Sequence, residues 1–261
     1  MKYYVVDAFA ERIFEGNPAG VCILEEWLPE DLMQKIAIEN NLSETAFAVK
    51  NSDKYHLRWF TPGGEINLCG HATLATAYVL LNYYEQEHDT VTFDTLSGPL
   101  TVHRTNDLYE MDFPTVASEK LEITAQMIEA LGITPVEAYK NRDLLFVVDS
   151  EEQVKNLTPD FSKLKELPEG LGVIITAKGN HHDFVSRAFF PKLNVNEDPV
   201  CGSAHCGLIP YWANKLNKHD MIAQQLSSRG GIVHCKLEGP RVKLAGKAAL
   251  YSIADIFLEN Q

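Results

Sequence analysis

Apolar and β-branched residues along the chain fall in short runs separated by Gly, Pro, Asn and Asp, the signature of strands joined by tight turns. In the first half these runs predict strands over residues 3–8, 20–24, 45–50, 57–61, 91–95 and 100–104. A helical pattern opens at Pro29-Glu30-Asp31, where acids suit the positive end of the helix dipole, and carries Leu32, Ile36 and Ile38 toward Asn40-Asn41. The second half predicts strands over 144–148, 173–176, 184–189 and 232–236, with helices over 125–131 and 151–157. Two further segments, 70–83 and 202–216, are apolar or small on nearly every side. A helix without a polar face belongs inside a core. Pro210 is expected to bend the second of them in mid-course.

These elements occur twice. Arg58-Trp59-Phe60-Thr61-Pro62 is answered by Arg187-Ala188-Phe189-Phe190-Pro191, with Arg, Phe and Pro each recurring 129 positions on (58 to 187, 60 to 189, 62 to 191). Cys69-Gly70-His71-Ala72 is answered by Cys201-Gly202-Ser203-Ala204, and Gly98 by Gly230, both 132 positions on. That spacing is about half of the 261 residues, so the chain reads as two copies of one α+β unit, a short-stranded sheet wrapped around one central helix. The expected division is residues 1–115 and 116–248, with a strand near 249–261 returning to the first half.

Composition narrows the function. A length just above the single-core limit agrees with two halves. Hydrophobic residues at 45% and charged residues at 23% exclude a disordered or collagenous chain. A formal charge of −13, with no basic block, argues against nucleic acid or an anionic membrane as partner. The start, Met1-Lys2-Tyr3-Tyr4-Val5-Val6-Asp7, reaches an acid before an apolar signal region forms, and no run has membrane-spanning length. Five dispersed cysteines complete the expectation of a cytoplasmic protein with reduced thiols.

Two of those cysteines, Cys69 and Cys201, stand immediately before the buried helices. Free N–H groups and the helix dipole at such a start can hold a substrate carboxylate without Arg or Lys, at Gly70-His71 and Gly202-Ser203. The same field favours a thiolate. If the halves pack face to face, the helix starts meet across one cleft, where paired acid/base groups suit a proton transfer at carbon. A free Cys is also an ordinary core residue, and both readings stay open for Cys69 and Cys201, whereas Cys22, Cys206 and Cys235 are expected to be packing. Cys201, His205 and Cys206 match no standard zinc spacing, so no metal is expected there.

Five motifs in order carry a resemblance: Gly16-Asn17-Pro18-Ala19-Gly20-Val21, Asn41-Leu42-Ser43-Glu44-Thr45-Ala46-Phe47, Arg58-Trp59-Phe60-Thr61-Pro62, Cys69-Gly70-His71-Ala72-Thr73 and Glu197-Asp198-Pro199-Val200-Cys201-Gly202-Ser203-Ala204-His205. Together they resemble the PhzF family of phenazine biosynthesis-like proteins. The resemblance implies the diaminopimelate epimerase-like fold, two pseudo-symmetric domains that are each a β-roll around a central helix. It further implies a site in the cleft, no cofactor or metal, a small anionic metabolite as partner, and a homodimer. It makes Glu44 the acid/base, with His71, Asp198 and Ser203 as helpers. One departure stands out, because PhzF-like chains commonly carry Thr where this one has Cys201, while related racemases carry Cys at both helix starts. The leading expectation is a cofactor-independent isomerase moving a proton on a carboxylate-bearing metabolite through Glu44. The alternatives are a two-cysteine epimerase or racemase using Cys69 and Cys201, and a non-catalytic metabolite-binding protein. Phe47, Phe60 and Tyr211 are candidates for lining the cleft.

Overall fold

Burial alternating with exposure turns the apolar runs into strands, and hydrogen bonding joins them in the same way in each half. The computed structural model describes residues 1–258. It divides into two units, Met1–Asp112 with the residues from Ala245 on, and Phe113–Leu244. The return strand is Ala248–Asp255, antiparallel to Lys2–Ala8; residues 259–261 of the expected 249–261 segment lie outside the described residues.

In the first unit Lys2–Ala8 also pairs antiparallel with Asn17–Leu24. The helix Glu30–Asn40 then crosses over, so that Glu44–Asn51 lies parallel to Asn17–Leu24. Lys54–Thr61 runs back antiparallel and turns into the short Gly64–Ile66. The helix Gly70–Val79 makes the second crossover, and Thr90–Thr95 lies parallel to Lys54–Thr61 before the strands Gly98–Thr105 and Leu108–Pro114. Eight of the ten residues in Gly70–Val79 are buried, as its missing polar face requires. The predicted 70–83 helix is α-helical only to Val79, and Leu80–Tyr84 continues it as a π-helix.

The second unit repeats this order. Leu144–Val147 lies parallel to Val173–Lys178, Phe184–Phe190 antiparallel to it, Val195–Asp198 follows as the short strand, and Asp220–Gln225 is parallel to Phe184–Phe190. Its central helix, Gly202–Leu216, continues through Pro210 without a break. The first crossover differs, because Thr158-Pro159 stops the helix and divides it into Glu151–Asn156 and Phe161–Glu166. Ser150 and Asp160 cap the two pieces.

The repeat extends to side chains. Arg58 donates Nε and Nη2 to Glu65 (both 2.6 Å) and lies 5.1 Å from the Phe60 ring centre. Arg187 does the same with Glu197 (2.7 and 3.0 Å) and Phe189 (4.9 Å). The recurring Arg-x-Phe is thus an architectural latch between adjacent strands.

The cores also correct the expected cleft lining. Phe47 and Phe60 are buried with Tyr3, Cys22, Met33 and Ile36 beneath the Glu30–Asn40 helix, their rings edge to face at 5.6 Å. Each such buried ring contributes about 2 kcal/mol of hydrophobic stabilisation. Tyr211 lies edge-on to Tyr139 and Trp212 within the second unit. Among the described residues no helix is long and apolar enough to cross a membrane.

Candidate active site

Glu44 is the first residue of its strand. The chain reaches it through Asn41, which ends the preceding helix in the left-handed region (φ 49°) and donates its N–H to Ala37 O; asparagine tolerates that conformation. Ala19 sits opposite Glu44 and Gly20 opposite Thr45. A Cβ on Gly20 would lie 2.1 Å from Tyr3 Oη and 2.9 Å from Thr45 Oγ1. With glycine there, the Tyr3 and Thr45 hydroxyls approach to 3.4 Å, tying the Glu44 end of the strand to its neighbours. The Gly-Asn-Pro-Ala-Gly motif therefore acts on the site through packing.

Cys69 enters the central helix in an extended conformation, and Thr73 closes the first turn by donating its N–H (3.1 Å) and hydroxyl (2.6 Å) to Cys69 O. This geometry turns His71 toward Glu44. Nε2 of His71 lies 3.1 Å from Oε2 of Glu44, with the side chains 8% and 16% exposed. The contact is a close charge contact off the line of an ideal hydrogen bond, and neither atom has a hydrogen-bond partner. On the other edge of the ring, Cys69 Sγ is 3.5 Å from Nδ1. Glu44, His71 and Cys69 thus form a line through one imidazole.

In the second unit Cys201, Ser203 and Asp198 gather at the start of Gly202–Leu216. Cys201 Sγ is 3.3 Å from Ser203 Oγ, which also accepts from Arg142 Nη2 at 3.0 Å. Arg142 is anchored by the buried Asp143 through both Nε and Nη2. The buried Gln225 clamps the turn, accepting from Cys201 N–H (2.9 Å) and donating to Asp198 O (2.6 Å). Gly70 and Gly202 leave open space at both helix starts: a Cβ on the first would meet nothing within 4 Å, and on the second only Leu244 Cδ1 at 3.9 Å.

The electrostatics overturn one expectation. Burial pushes the Cys69 thiol up and the Glu44 charge adds to this, with His71 offsetting only part. Burial and then the Asp198 charge hold Cys201 well above its usual range. Both are neutral thiols at neutral pH, because desolvation outweighs the helix dipole that was expected to favour thiolates. For His71, burial acts downward, but the Glu44 carboxylate beside Nε2 acts upward and the imidazole is held well above its ordinary value. His205 is the opposite case: burial lowers it to about 4, and Nδ1 donates to Cys201 O at 2.8 Å. It is a neutral core histidine.

Donor atoms of Glu44, Cys69 and His71 lie within 4.8 Å of one another. His71 meets Cys69 through Nδ1 and Glu44 through Nε2, on opposite ring edges, so one ion cannot share all three groups without the ring turning. The arrangement is a relay rather than a cage. A cavity of about 350 Å³ in the first unit, bordered by Tyr78, Asn82, Arg104 and Lys247, is lined by none of the three.

The comparisons with known proteins bear on the family and the fold. The family model described as PhzC-PhzF, phenazine biosynthesis-like protein, matches residues 6–253. The chain belongs to the PhzF family. An uncharacterized isomerase of Pseudomonas aeruginosa is 48% identical over 259 residues, covering 99% of each chain. The crystal structure of a PhzF-family phenazine biosynthesis protein from Enterococcus faecalis superposes with a TM-score of 0.97 at 55% identity, over 98% of this chain and 99% of that one. A probable proline racemase from Agrobacterium radiobacter shares the fold alone, with a TM-score of 0.67 at 11% identity over 99% and 93% of the chains. This PhzF-family chain is accordingly an enzyme of the isomerase class with the diaminopimelate epimerase-like α+β fold.

Sequence reasoning missed Arg142 and Gln225. Neither lies in a motif or has a matching residue in the other half, and each reaches the site only through folding, Arg142 across 61 positions to Ser203. A lone Arg beside an Asp gave no signal on its own.

Proposed function

We propose that the protein is a cofactor-independent isomerase that moves a proton on a small carboxylate-bearing metabolite, with Glu44 as general acid/base. The observation that supports this most is the buried Glu44–His71 contact, in which both facing atoms lack a hydrogen-bond partner. A carboxylate held almost out of water beside an imidazole is a base that accepts a proton from carbon and returns it to another carbon. Each unit offers helix-start N–H groups that suit a substrate carboxylate, at Gly70-His71 in the first and at Gly202-Ser203 in the second, where Arg142 supplies a cation beside Ser203. Cytoplasmic location and a homodimer belong to the same proposal, the latter tested by sedimentation.

A screen of unsaturated carboxylates in D2O, read by NMR for loss of C–H signals, tests the reaction. Glu44→Gln should reduce exchange at least about 100-fold, the scale of general acid/base catalysis, while its unfolding curve stays unchanged. Exchange at the wild-type rate in that variant overturns the assignment, and no exchange with any ligand that binds favours a binding protein. The repeated thiols are the observation that favours an epimerase or racemase instead. With both thiols neutral and buried, the folded protein should resist iodoacetamide at pH 7 and keep its activity. Rapid alkylation of Cys69 or Cys201 with loss of exchange would move the reaction to the thiols.

A further inference from the structure

Glu44 needs a proton held opposite it, and a histidine ring free to turn would not supply one reliably. We propose that Cys69 is a positioning residue that occupies Nδ1 of His71 and thereby keeps Nε2, with its proton, directed at Glu44. The proposal rests on the acid/base reading of Glu44.

Three observations carry it. The first is the line of contacts, Cys69 Sγ at 3.5 Å from Nδ1 and Glu44 Oε2 at 3.1 Å from Nε2. The second is confinement: the His71 side chain is 8% exposed, and Nε2 has no hydrogen-bond partner to hold it in place. A flipped ring would lose both contacts, and the one at Nδ1 is the hydrogen-bonding contact that holds the ring against that flip. The third is the repeat. In the other unit Cys201 Sγ contacts Ser203 Oγ at 3.3 Å, so each thiol engages the side chain two residues further on. A side chain serving only as filling has no reason to make the same polar contact twice.

The role survives a change of protonation. In the neutral ring the thiol donates to Nδ1; in the charged ring Nδ1–H donates to the sulfur. Nε2 carries a proton in both cases. Sulfur suits this task because it is a weak donor and a weak acceptor, able to serve either form.

The test compares the wild type with Cys69→Ala and Cys69→Ser, using 15N NMR of the His71 ring nitrogens on both sides of its titration, with no substrate present. The wild type and Cys69→Ser should show the proton retained on Nε2 when the ring is neutral. Cys69→Ala should show it redistributed to Nδ1, with kcat for proton exchange lowered on the order of 10- to 100-fold by misplacement, and KM little changed. Unchanged His71 signals in folded Cys69→Ala overturn the proposal, as does a redistribution that leaves kcat intact. If Glu44→Gln proves active while Cys69→Ala still moves the His71 proton, the acid/base reading has failed and the positioning contact stands.

Discussion

The duplicated arginine latch offers an internal control, since one substitution can be made in two copies of the same setting. Arg187 is 12% exposed and holds Glu197, itself 21% exposed, and it also donates to Val154 O (3.2 Å) and Leu157 O (2.7 Å) at the end of a helix. Arg58 is 25% exposed and holds Glu65, with a further bond to Glu30, which is 70% exposed. Arg187→Ala strands a largely buried carboxylate, about 3 kcal/mol at the low end for a broken buried pair, and frees helix-end carbonyls for about 1 kcal/mol more. Arg58→Ala strands Glu65, which is equally exposed at 21%, at the same cost of about 3 kcal/mol, and its exposed pair with Glu30 adds little. The expected difference is therefore about 1 kcal/mol, set by the helix-end carbonyls, with the second unit the more sensitive. Urea unfolding reads it, because Trp212 reports the second unit while Trp27 and Trp59 report the first. An Arg58→Ala loss equal to or greater than that of Arg187→Ala would refute the reasoning that backbone carbonyls separate the two copies.

Two further predictions follow from the same geometry. His205 has its pKa lowered to about 4, so the unfolded chain binds a proton between pH 6.5 and 4 that the folded chain refuses. Stability read at Trp212 should fall across that window by about 3 kcal/mol in all, and His205→Gln should flatten the slope; an unaltered slope shows that another group is responsible. Gly20→Ala should push Tyr3 off Thr45, costing about 1–3 kcal/mol in the first unit and slowing exchange by displacing Glu44, whereas an unfolding midpoint equal to wild type would show that the Tyr3 ring yields freely.

Much of this was legible in the sequence because local chemistry and the repeat say the same thing twice. The helix starts at Cys69 and Cys201 are each marked by Cys-Gly before a segment with no polar face, and both form where expected. Strands carrying charges among few apolar residues, such as Glu137–Lys140 and Val195–Asp198, were not legible, because partners elsewhere in the unit stabilise them. The identity of Phe47 and Phe60 as core rings depended on which sheet face receives the Glu30–Asn40 helix, a tertiary fact. Thiol ionisation was misjudged because the dipole at a helix start is written in the sequence, whereas the depth of burial that opposes it is not.

The register of the two halves also records how final their divergence is. Phe60 faces Thr45 across the sheet and Phe189 faces Val173, so the counterpart of Glu44 is the preceding residue, Gly172. A Cβ at Gly172 would sit 2.2 Å from Cε1 of Phe190 and 3.0 Å from Phe189 O. No side chain of any kind fits there unless that ring moves first. A single codon change therefore cannot restore the missing carboxylate: the two copies have become non-interchangeable parts, and any attempt to engineer a symmetric two-carboxylate variant must begin by replacing Phe190.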